Sequence, residues 1–147
     1  RHAELEVRGN RRRRQLVGQG HVTPEVSRAI EELTAAFPAS VVEARALGDG
    51  GASVTIDPVD PGEPYMQRET WMRFGISFQY PYADIYPLFV RPDLARADGA
   101  PLGEGMTSAS FEGVSAIQIS RRNNKLDPAT DTAALKVAKV LEWLRLR

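Results

Sequence analysis

The sequence predicts an α+β domain made of a helix, an antiparallel β-meander and a closing C-terminal helix. Three patterns predict it. Apolar residues recur at helical spacing between Thr23 and Phe37, and again between Ala134 and Leu144. From Thr70 to Phe78 they alternate instead, which is the period of a strand with one buried face. The helices, over 24–37 and 132–146, are expected on either side of the sheet, and its longest strand near 70–78. With 147 residues, 42% of them hydrophobic, the chain has material for one core rather than two.

Residues 1–20 read as a flexible basic arm, and 21–147 as the domain. The arm carries Arg11-Arg12-Arg13-Arg14, few apolar positions, and Gly18 and Gly20, so it offers little to a core and could become helical on docking. Thr23-Pro24 is a helix start, since Thr caps well and Pro at the first position has no amide hydrogen to waste. Val26, Ile30, Leu33 and Phe37 then share one face, and Pro38 ends the helix. Val41 to Leu47 and Ala52 to Ile56 form a hairpin about Gly48-Asp49-Gly50-Gly51. Asp57-Pro58 and the proline-rich stretch 60–64 are expected to stop a central strand, because proline removes a ladder donor.

In the strand 70–78, Met72, Phe74, Ile76 and Phe78 form the apolar face. Tyr80-Pro81 and Tyr86-Pro87 flank Ala83-Asp84-Ile85 as a rigid corner before the short apolar run Leu88-Phe89-Val90. Residues 95–113, rich in Gly, Ala and small polar types, read as irregular surface of the kind that carries function. Ile117 to Ser120 is a brief strand. Asp131 or Thr132 caps the last helix, with Ala134, Val137, Leu141 and Leu144 inward, Val140 beside them, and Lys136, Lys139 and Arg145 in water.

Nineteen basic residues balance nineteen acidic ones, so any electrostatic recognition is local. The four arginines could contact phosphates, but without interleaved aromatics they read better as a solvated arm or a docking face for an acidic protein. No cysteine is present, which excludes disulfides, thiolate metal sites and thiol nucleophiles on this chain. His2 and His21 have no partner at ligand spacing, so no metal and no cofactor is expected. Gly48 to Gly51 precedes no helix that could complete a phosphate cradle. The apolar runs are too short to span a membrane and no apolar signal core is seen, which gives a cytoplasmic reading. Trp71, Trp143, Tyr80, Tyr82 and Tyr86 read as core and corner aromatics, the exposed tyrosines being the alternative of a binding groove. Arg121 and Arg122 read as a solvated pair, with a partner or substrate role as the alternative.

The order of these elements resembles the ubiquitin-conjugating enzyme (UBC) fold over about residues 23–147. The resemblance rests on a third strand, Phe74-Gly75-Ile76-Ser77-Phe78-Gln79, that runs into Tyr80-Pro81 and then Tyr86-Pro87. It is closest to divergent conjugating-enzyme-like proteins of bacterial ubiquitin-like operons, or to cysteine-less variants that bind ubiquitin without carrying it. The family's His-Pro-Asn element has no counterpart here, and Ala116 in Gly113-Val114-Ser115-Ala116 stands where its cysteine would be. The resemblance implies a reaction centre around Ala116 with Ser115, Gln118 and Ser120, in a shallow groove between 113–120 and 95–112. It also implies docking of an activating enzyme on the first helix and the arm, including Arg11, Arg12, Arg13 and Arg14; an adaptor would use the arm and the corner, with Tyr82 and Tyr86, to bind a ubiquitin-like protein or a conjugation partner. Three functions compete: an acyl carrier whose native cysteine has been replaced, a noncatalytic adaptor, and a nucleic-acid module using the arginine run.

Overall fold

The computed structural model describes residues 14–17, by their backbone, and 21–147. Arg11, Arg12, Arg13 and His2 lie outside the described residues. Among those described, the chain forms β1 (Arg14–Val17), α1 (Pro24–Ala36), β2 (Val41–Ala46), β3 (Ala52–Val59), β4 (Thr70–Ile76), β5 (Leu88–Val90), β6 (Met106–Phe111), β7 (Val114–Ile119) and α2 (Ala133–Arg145). These strands build one sheet in the order β1-β2-β3-β4-β5-β7-β6. All pairings are antiparallel except β1 on β2, so four residues assigned to the arm form a parallel edge strand.

Helix α1 begins where capping chemistry places it. The Thr23 hydroxyl accepts a hydrogen bond from the Val26 amide at 3.1 Å, and Pro24 takes the first turn. Val26, Ala29, Ile30 and Leu33 are buried, and the Phe37 amide closes the helix by donating to Leu33 O. The β2–β3 turn is bound to this start, because the Thr23 amide donates to Gly50 O at 3.0 Å. Gly50 has φ +101°, and a Cβ there would lie 3.0 Å from Thr23 Cγ2 and 3.2 Å from Phe78 Cβ. Only glycine suits that position.

Strand register sorts the side chains into two faces. Val42, Ile56, Met72, Val90 and Ile117 lie opposite one another in turn, giving an apolar row across β2, β3, β4, β5 and β7. All five are buried. The neighbouring row on the other face reads Glu43, Thr55, Arg73, Phe89, Gln118 and Thr107, which is largely polar. Both helices therefore pack on the apolar face, touch each other and share one core, in place of the expected helix on either side. The polar face offers no surface on which a second amphipathic helix could bury its stripe.

The β6–β7 hairpin bends over that polar face. Phe111 stacks on Phe89 with ring centroids 4.6 Å apart. Glu112, at φ +51° in the turn, accepts from Ser53 Oγ at 2.9 Å and forms an ion pair with Arg45. Met106–Phe111 is thus a strand, although its small polar composition was expected to be irregular. Its pairing partner supplies what its centre lacks: between Met106 and Phe111 the strand is small and polar, and β7 contributes Ala116, Ile117 and Ile119.

Two other expectations are corrected. β3 has eight residues and is longer than β4 with seven, because it continues through Asp57-Pro58 to Val59. A register shift between Ile56 and Val59 accommodates the proline, whose missing amide costs nothing in an unpaired bulge position. β4 stops at Ile76, and Phe78 is left 51% exposed beyond its end rather than on its buried face.

Ser40, buried between α1 and β2, donates its hydroxyl to Pro58 O at 2.6 Å. Ser40→Ala should leave that bulge carbonyl without its partner and cost about 1–2 kcal/mol. Urea denaturation checks this, the expected result being a lower midpoint with an unchanged slope.

Candidate functional site

The corner between β4 and β5 starts as a tight turn, with the Tyr80 amide donating to Ser77 O and the Tyr82 amide to Gln79 O. Tyr80-Pro81 and Tyr86-Pro87 both hold cis peptide bonds. The Tyr80 hydroxyl accepts a hydrogen bond from the Ala133 amide at 3.0 Å, which satisfies one of the orphan donors at the start of α2. Burial pushes this phenol above its ordinary pKa, so it stays protonated and can donate as well.

Asp84, between the two Tyr-Pro pairs, ties three segments together. Its carboxylate accepts the Asn123 amide at 2.7 Å and meets the Lys136 ammonium at 3.0 Å. Lys136 also donates to Arg121 O at 2.7 Å. The two charged side chains are only 12% and 11% exposed, and Lys136 is therefore not the solvated helix residue its position suggests. Asp131 organises the adjoining loop by accepting from the Asp127 amide at 2.8 Å and from the Asn123 side-chain amide at 3.1 Å. The Asp127 amide, with Asn123 and the nearby lysines, holds its carboxyl below the usual range.

Between the corner, the loop 121–132 and α2 lies a cleft of about 220 Å³. Ile85, Leu126, Leu135 and Val140 form apolar wall, while Arg121, Arg122, Lys139 and Trp143 line it as well. Arg121 lies over the Trp143 ring at 5.2 Å from its centroid, and Arg122 over Tyr86 at 3.9 Å. Trp143 Nε1 is buried without an acceptor. Gly105, at φ +87°, permits the indole to approach, since a Cβ there would sit 3.1 Å from Trp143 Cη2.

The reaction-centre residues expected from sequence lie elsewhere. Ala116 is 2% exposed in the middle of β7, opposite Ala109. Ser115 is exposed and opposite Ser110. Gln118 pairs with Thr107 and Phe89, and its side-chain amide donates to Ser120 Oγ at 3.3 Å. The Ser120 amide donates to Gly105 O. Segments 113–120 and 106–111 thus meet as a hydrogen-bonded hairpin, not as the two walls of a shallow groove. Tyr86 borders the cleft through Arg122, whereas Tyr82, 77% exposed, lies with Phe78 and Glu25 at the start of α1. Arg14 opens β1, and the other three arginines of the run lie outside the described residues.

Asp84, Asn123 and Lys136 were not legible as a site. Their one sequence signal is the position of Asp84 between two Tyr-Pro pairs, where a carboxylate has no turn to cap. The cleft offers donors, apolar wall and a neutralised ion pair. Among the described residues no group of three or more His, Asp or Glu could hold a metal ion, and no helix is long and apolar enough to cross a membrane. No family model, curated protein or solved structure matches the chain.

Lys136→Ala should strand the Asp84 carboxylate and cost roughly 3 kcal/mol, whereas Asp84→Asn combined with Lys136→Met should cost less than the sum of the single changes. A double-mutant cycle from chemical denaturation measures this, and strict additivity would contradict the coupling.

Proposed function

We propose that this chain is a divergent UBC-like protein that works in a ubiquitin-like conjugation pathway as a noncatalytic binding partner. The observation that carries this reading is the corner: Tyr80 and Asp84, between β4 and β5, are joined to the start of α2 and to the loop after β7. That junction turns a helix, an antiparallel meander and a closing helix into a preformed cleft, in the element order that carries the family resemblance. A preformed site loses little entropy on binding, which suits recognition of an extended tail.

The noncatalytic half of the proposal follows from position 116. A thioester carrier needs an ionisable thiol that an incoming acyl group can reach. A side chain at 116 lies buried on a paired strand, where burial raises a thiol's pKa and the ladder blocks approach. Neighbouring hydroxyls do not substitute, since an alcohol is far less ionised and no His lies beside Ser115 or Ser120 in sequence.

Ala116→Cys, incubated with an activating enzyme, its ubiquitin-like protein and ATP, should give no reductant-sensitive adduct. The parent chain should nonetheless bind the ubiquitin-like protein or the activating enzyme in a calorimetric titration. An adduct on the Cys variant would restore the carrier mechanism, and absence of binding to both proteins would defeat the pathway assignment.

A further inference from the structure

We infer that the cleft beside Trp143 is a carboxylate-recognition site that receives the C-terminal end of an extended polypeptide tail. This deepens the binding role proposed above, and rests on it only for the identity of the tail.

Among the described residues, two guanidinium groups at the cleft have no acidic partner. Four cationic side chains line the cleft, Arg121, Arg122, Lys136 and Lys139, against two carboxylates, Asp84 and Asp131, leaving an excess of two positive charges. Asp84 is engaged by Lys136 and the Asn123 amide. Asp131 is engaged by the Asp127 amide and Asn123, with Lys139 at 4.0 Å. Arg121 and Arg122 form no ion pair among the described residues, and each guanidinium is held over an aromatic ring instead. Stacking fixes a guanidinium plane while leaving its edge N–H groups available. Trp143, whose ring carries Arg121, lines the cleft as well, its Nε1 buried and without an acceptor.

Acceptor chemistry and size together select the ligand. An anion alone would need only the two arginines, but the cleft also has apolar wall at Ile85, Leu126, Leu135 and Val140. Its occupant therefore has a short apolar or neutral body and one anionic end. A volume of about 220 Å³ is small for a cofactor-sized molecule and fits two or three small residues. The end of a polypeptide is such an object. Its carboxylate has about four lone-pair positions for the two guanidinium groups.

The test uses an N-acetylated Ala-Gly-Gly peptide with a free carboxylate, the same peptide as its C-terminal amide, and inorganic phosphate. Trp71→Phe leaves Trp143 as the sole tryptophan, so indole fluorescence reports on the cleft while calorimetry gives affinity. The carboxylate peptide should bind and shift the Trp143 emission, and the amide should bind at least about tenfold more weakly. Phosphate should not displace the peptide at equal concentration. Arg121→Ala with Arg122→Ala should weaken the carboxylate peptide by about tenfold or more while melting like the parent. Trp143→Phe should weaken it by a smaller factor. Equal binding of acid and amide, or displacement by phosphate, would overturn the inference. Failure of the peptide while the ubiquitin-like protein still binds would overturn this inference and leave the proposed function standing. Binding of the peptide without binding of the ubiquitin-like protein would do the reverse.

Discussion

The register of five strands governs the rest of the molecule. Val42, Ile56, Met72, Val90 and Ile117 meet side by side because β2, β3, β4, β5 and β7 hold one register across that row. A slip of one residue in β4 would exchange Met72 and Phe74 for Trp71 and Arg73 on the buried face, placing a charge under both helices. That penalty fixes the meander, and the meander fixes which face the helices can cover. With α1 and α2 on the same face, α2 is brought alongside the corner between β4 and β5. The cleft is a consequence of this arrangement.

Polar chemistry then completes what apolar packing begins. Packing brings the corner near α2 but does not choose its angle. Tyr80, capping α2 through the Ala133 amide, and Asp84, bridging Lys136 and Asn123, set that angle by directional bonds. A buried ion pair is a poor source of net stability, yet removing one member leaves a charge uncompensated. Such a pair therefore acts more as a specification of geometry than as glue. The opposite face uses the same logic on a smaller scale, where Glu112 holds the β6–β7 turn against Ser53 and Arg45.

Local chemistry was legible in the sequence, and long-range chemistry was not. Thr23-Pro24, the glycines of the β2–β3 turn and the alternation of Met72, Phe74 and Ile76 each announce their structure within a few residues. β6 does not, because Thr107, Ser108, Ala109 and Ser110 become a strand only through pairing with β7. The proline in β3 misled for a related reason: a bulge tolerates what a regular ladder forbids. For the candidate site, the Tyr-Pro corner is visible in the sequence, whereas the resemblance that points to Ala116 gives a position and no contact pattern. Lys136 reads from helical spacing as a solvated residue, and its partner lies 52 positions away. No periodicity carries that information.

The central claim is that this chain binds through the cleft formed by the corner, the loop after β7 and α2. It is tested most directly by titrating the isotopically labelled chain with a ubiquitin-like protein and following backbone amide and indole resonances. The account predicts perturbations concentrated at Asn123, Lys136 and the Trp143 indole, with little change at Ala116 or across β2. Perturbations centred on Tyr82 and α1 with the cleft unmoved, or no perturbation at saturating concentration, would contradict it.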